Sequence, residues 1–219
     1  CLRSYGQFIM VYMRSFCGLT VVALGLLTAV ISGAQVIEFE SGGLRYQTLT
    51  KGGVTIMVAS LPSHVREFSI LQVAISNGSP VSWTVHPEDF AFTREDGAVI
   101  NATPARVVVN SLISKASRGD VIRLVTAYES GLYGLQRFKS TNGYEARRQA
   151  AFAEVSSTKI KAAAAASAIA LVAVKLAPGQ STDGAVFWPT QGKPLGAGHL
   201  RVNAAGEMFE FTPESPARP

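Results

Sequence analysis

Cysteine is almost missing from this chain of 219 residues: Cys1 and Cys17 are the only two, and residues 35–219 contain none. That stretch therefore forms no internal disulfide and offers no thiol nucleophile or thiolate metal site, so its fold must rest on core burial alone. Charge is sparse as well, at 16% of residues, while hydrophobic residues reach 47%, a balance that excludes a highly charged disordered chain. No G-x-S-x-G elbow, H-E-x-x-H helix, phosphate-binding glycine loop or dinucleotide fingerprint occurs. The three histidines, His64, His86 and His199, stand far apart in the chain. An active site assembled in space is left open by such a sequence, but no motif names a catalytic residue, a metal ligand or a cofactor.

Long apolar runs are missing too. Leu19–Ile31 is an uncharged, mostly apolar run of thirteen residues, short of the roughly 20 that span a bilayer. Arg14 precedes it and Ser32-Gly33-Ala34 follow, the order of a secretory signal: charged start, apolar middle, small-residue cleavage site. The expectation is a signal peptide over residues 1–34, with a leader before Met13 that carries no function and cleavage leaving Gln35 first. The alternative is a membrane tether that retains residues 19–34. The expected location is periplasmic or extracellular.

In residues 44–100, period-2 alternation marks strands half-buried on one face: Val54, Ile56 and Val58, then Leu71, Val73 and Ile75, then Val81, Trp83 and Val85. Lys51-Gly52-Gly53, Asn77-Gly78-Ser79-Pro80 and Asp96-Gly97 supply the turn chemistry between them. Thr103-Pro104 then reads as a helix start, Thr103 the N-cap and Pro104 the first helical residue, with Val108, Leu112, Ile122, Val125 and Tyr128 at helical spacing and a division at Gly119-Asp120. Asn142 and Glu145 form a capping box for a further helix, and Ala162–Ala166 has high helix propensity. Ile169 to Leu176 reads as a strand. Alternation resumes around Gly184 to Trp188, His199 to Asn203 and Glu207 to Phe211, with a hairpin turn at Asn203-Ala204-Ala205-Gly206.

The fold class expected from this order is mainly β (α+β): an antiparallel β-sandwich over residues 35–219, carrying a helical insertion at about 103–165. Leu176-Ala177-Pro178-Gly179-Gln180-Ser181 with Gly184 and Val186-Phe187-Trp188, and Val73-Ala74-Ile75-Ser76-Asn77-Gly78-Ser79, resemble strand-and-turn elements of exported bacterial immunoglobulin-like domains. The resemblance covers about half of residues 35–219. It implies an immunoglobulin-like sandwich acting as a non-enzymatic binding or structural module of the cell envelope, with no catalytic residues.

Candidate sites are few. His86-Pro87-Glu88-Asp89 sets a histidine beside two carboxylates, and is read as a polar corner between strands because an extended backbone turns its side chains to opposite sides. Trp83, Phe90, Phe92, Phe187, Phe209 and Phe211 are read as core. Between Thr103 and Lys161 ten Lys and Arg face four Asp and Glu, a local excess of +6 within a chain of net +5. Tyr128, Tyr133, Arg137, Tyr144, Arg147 and Arg148 in that segment are the candidate partner-binding residues, Tyr and Arg being enriched at interfaces. An acidic protein or envelope component is the expected partner. The charges are too scattered for a nucleic-acid site, and membrane contact is expected only through an uncleaved N-terminus.

Overall fold

Seven strands, then three helices, then four further strands follow one another over residues 34–134, 146 and 157–213, which the computed structural model describes, and all lie in the compact unit Ala34–Pro219. The strands are β1 Ile37–Ser41, β2 Leu44–Lys51, β3 Val54–Val65, β4 Phe68–Asn77, β5 Trp83–Val85, β6 Phe90–Arg94 and β7 Val99–Asn101. Helices α1 Ala105–Lys115, α2 Arg118–Gly134 and α3 Thr158–Ile169 follow, then β8 Val174–Leu176, β9 Ser181–Pro189, β10 Gly198–Ala204 and β11 Glu207–Phe211. The chain is mainly β with an α contribution, and every strand pair is antiparallel. One sheet runs β1-β2-β3-β4-β9, a second β11-β10-β6-β7, and β5 pairs with β8 alone.

Two apolar clusters flank the first sheet. Leu71, Val73 and Ile75 of β4 join Val54, Ile56 and Val58 of β3, Trp188, and the second sheet's Phe90, Phe92, Leu200, Val202, Phe209 and Phe211. On the opposite face, Phe68, Ile70 and Ala74 of β4 join Phe187, Val108 and Leu112 of α1, Leu124 of α2, and the alanines of α3. Each large apolar side chain so buried contributes about 1.5–3 kcal/mol. Strand β4 is therefore covered on both faces, which corrects the half-buried strand expected from its alternation. Gln72 and Ala74, placed on the solvent side by that pattern, are 0% and 1% exposed because the helices lie over them.

The helix boundaries also move. Pro104, not Thr103, stands at the N-cap of α1, because the Thr103 N–H is donated to the Phe187 carbonyl at 2.7 Å and ties Thr103 to β9. The break between α1 and α2 falls at Ala116-Ser117 rather than Gly119-Asp120. There the Asp120 carboxylate accepts both the Ser117 N–H at 2.7 Å and its hydroxyl at 2.9 Å, which ties Ser117 to the first turn of α2. Ile122, expected among the inward residues, is 57% exposed. Helix α3 buries Ala162, Ala163, Ala165, Ala166 and Ala168, whose small side chains let its backbone pack closely against α1 and α2.

The expected strand Ile169 to Leu176 is reduced to Val174–Leu176, since residues 169–173 carry the chain from one layer to the other. Ile169 and Ala170 belong to the helix-side cluster and Leu171 to the opposite one. Leu171 donates its N–H to the Ala185 carbonyl at 2.9 Å as it passes the edge of β9. Gly184 permits the crossing: a β-carbon there would stand 2.6 Å from the Leu171 backbone. No helix among the described residues is long and apolar enough to cross a membrane.

The β3–β4 turn fastens the helices to the sheet. Glu67 accepts the Ser111 hydroxyl at 2.6 Å, and Arg66 lies 3.9 Å from the buried Asp120 carboxylate. Partial burial pushes the Glu67 carboxyl up. The Ser111 hydrogen bond, its own backbone N–H, and the charges of Lys115 and Arg66 together outweigh that and hold it below its ordinary range. Tyr46, stacked on Phe39 with ring centroids 5.2 Å apart, has its hydroxyl pushed up to about 12 by burial.

Candidate functional site

At the opposite end of the first sheet, three chain reversals meet. The β2–β3 hairpin turns through Gly52 and Gly53 at φ +53° and +80°, and the β10–β11 hairpin through Ala205 and Gly206 at +52° and +80°. Positive φ at both central residues is the two-residue turn whose twist suits a tight hairpin. The third reversal, residues 78–82, is built on Asn77. Its side-chain oxygen accepts the Ser79 N–H at 3.0 Å and hydroxyl at 2.6 Å, and its amide nitrogen donates to the carbonyls of Val81 at 2.9 Å and Leu176 at 3.0 Å. Asn77 is wholly buried, so this set both satisfies the amide and fixes the loop.

The reversals are also joined to one another. Gly78 donates its N–H to the Gly53 carbonyl at 2.8 Å. Lys51 Nζ donates to the Met208 carbonyl at 2.6 Å and sits 5.8 Å from the centroid of the Phe209 ring. The Glu207 side chain lies over Gly52, its Cγ 3.6 Å from where a β-carbon would stand.

Between them opens a cleft of about 650 Å³. Lys51, Ser79, Asp89, Asn203 and Glu207 give it polar groups of both signs, and Pro80, Val81 and Trp83 an apolar wall. Trp83 is half-buried rather than fully enclosed, which corrects its assignment to the core; its strand β5 is only three residues long and pairs with β8 alone. Its indole N–H is buried and without a partner among the described residues. Val81, expected to face inward in the same strand, is 65% exposed on the rim.

His86-Pro87-Glu88-Asp89 forms a polar corner, as its sequence implies. Pro87–Asp89 is a single 3-10 turn, the Asp89 carboxylate accepts the His86 N–H at 2.7 Å, and His86 and Glu88 face solvent. His64 and His199 are exposed, and among the described residues no three His, Cys, Asp or Glu side chains gather to hold a metal ion. Phe90, Phe92, Phe187, Phe209 and Phe211 are buried as expected.

The backbone of Tyr128 and Tyr133 belongs to α2. Their side chains, and Arg137, Tyr144, Arg147, Arg148 and the Asn142–Glu145 capping box, lie outside the described residues. The cleft was not recognised from the sequence, although its three turns were. The missing step was register: Val54 opposite Asn77 brings the first two turns to the same end of the sheet.

No protein-family model and no curated protein sequence matches the chain. Among solved structures, the crystal structure of the yjhA protein from Bacillus subtilis aligns over 81% of this chain and 96% of that one. Its identity is 7% and its TM-score 0.33, a level that carries no argument about fold or function.

Proposed function

We propose that the chain is an exported, non-enzymatic immunoglobulin-like module of the bacterial cell envelope that acts by recognition, with the cleft between the three turns as its binding face. The cleft carries this reading. Its walls are short turns held by buried hydrogen bonds, so a ligand meets a preformed surface and little ordering cost opposes binding.

Connectivity supports the immunoglobulin-like assignment. Strands β3, β4 and β9 stand in the relation of A, B and E of such a domain, and β7, β6, β10 and β11 in that of C′, C, F and G. The helical segment then replaces the strand that ordinarily lies between C′ and E. The charged start, apolar run and small residues of positions 14–34 support export. The basic stretch from Thr103 to Lys161 remains a proposed contact for an acidic partner, which reversal of Arg147 and Arg148 to Glu would weaken.

A photo-reactive residue at the exposed cleft position Thr84, set against one at Val99 on β7, tests the recognition reading in cells of the source organism. Adducts are expected from position 84 and not from 99; an absence of adducts from 84 overturns the reading. N-terminal sequencing of the exported protein should begin at or near Gln35, and a product retaining Leu19–Ile31 overturns cleavage.

A further inference from the structure

We infer that the ligand of this cleft is a neutral, polyhydroxylated molecule, a saccharide, an assignment that rests on the recognition reading. Two of the charges that line the cleft are already committed within the protein. Lys51 is spent on the Met208 carbonyl and the Phe209 ring, and Asp89 on the His86 N–H. The lining carries both signs, so a strongly ionic ligand of either sign meets repulsion as well as attraction.

What the cleft offers freely is different in kind. Thr84, Asn203 and Glu207 are exposed and line it with a hydroxyl, an amide and a carboxylate, a mixed set of donors and acceptors. Beside them stand Pro80, Val81 and the half-buried Trp83, an apolar wall that includes an indole ring. A sugar ring has the complementary division: an apolar C–H face that stacks on an aromatic, and a rim of hydroxyls that each donate and accept. The volume of about 650 Å³ falls within the roughly 300–1,000 Å³ of small-ligand sites and leaves room for more than one ring.

The test is titration of the full chain, followed by NMR, with neutral hexasaccharides of glucose and of N-acetylglucosamine, and with oligolysine as the cationic rival. At least one hexasaccharide is expected to bind with an affinity unchanged between low and high salt, since no ion pair is formed. Asn203→Ala and Glu207→Gln, both at exposed hairpin positions, should each weaken it about tenfold, a loss of ~1.4 kcal/mol. Trp83→Ala should abolish it; if that variant unfolds, the two hairpin variants decide. Failure of both saccharides to bind at millimolar concentration overturns the assignment, as does binding unaffected by both hairpin variants, or salt-sensitive binding of oligolysine in their place. Retention of adducts at position 84 alongside such a failure leaves the recognition reading standing; loss of both removes it.

Discussion

Gly78 and Gly53 are in mutual contact: the N–H of Gly78 is donated to the Gly53 carbonyl at 2.8 Å, and a β-carbon on Gly78 would stand 2.8 Å from that same oxygen. On Gly53 a β-carbon would in turn stand 3.0 Å from the Ser79 backbone, at a φ of +80°. Two walls of the cleft are thus held together by glycines that have no room for a side chain.

Gly53→Ala should destabilise the protein by about 1–3 kcal/mol, because strained backbone and lost contact act together. Urea unfolding measures it. A midpoint equal to that of the unaltered chain would mean that the two turns are not packed as described.

The second expectation concerns Gln72, which is wholly buried under the helices with both amide atoms unpartnered among the described residues. Gln72→Met keeps nearly the same volume and removes the desolvation cost, so stability should rise by about 1–3 kcal/mol. A fall in thermal midpoint would show that the amide holds a partner in solution.

The two tryptophans should separate in a truncation experiment. Trp188 is fully enclosed between the sheets, and Trp188→Ala should cost about 3–5 kcal/mol. Trp83→Ala, at a half-buried position, should cost about half as much by the area it covers. Equal losses would place Trp83 in the core and close the cleft wall.

Acid stability depends in part on Glu67, whose carboxyl is held below its ordinary value of 4.5. A lowered carboxylate contributes stability that is present above the unfolded value and lost as pH falls through the folded one. Glu67→Gln should therefore lower stability slightly at neutral pH and flatten the decline below about pH 4.5 by the same amount, the effect being small at a solvated site. An unchanged acid limb in chemical unfolding would exclude the contribution.

Residues adjacent in the chain determined a good deal on their own. The alternation of Val54, Ile56 and Val58, the paired glycines after Lys51, and the run Ala162–Ala166 each specify a local backbone shape, because side-chain spacing and permitted φ act over a few residues. The lack of cysteine beyond position 17 likewise settled that the domain has no disulfide to hold it. Which layer would lie across each face was not specified locally. The pattern of β4 is the same whether Gln72 and Ala74 meet water or helices, and only the packing of α1 and α3 buried them. The pattern around Trp83 and Trp188 likewise does not distinguish a cleft wall from an enclosed core. That difference came from β5 being a three-residue strand paired with β8 outside both larger sheets, while the nine-residue β9 belongs to the first sheet and lies beneath the second. The cleft itself draws on residues from Lys51 to Glu207, and such distant groups converge only when strand register and sheet packing set the turns side by side.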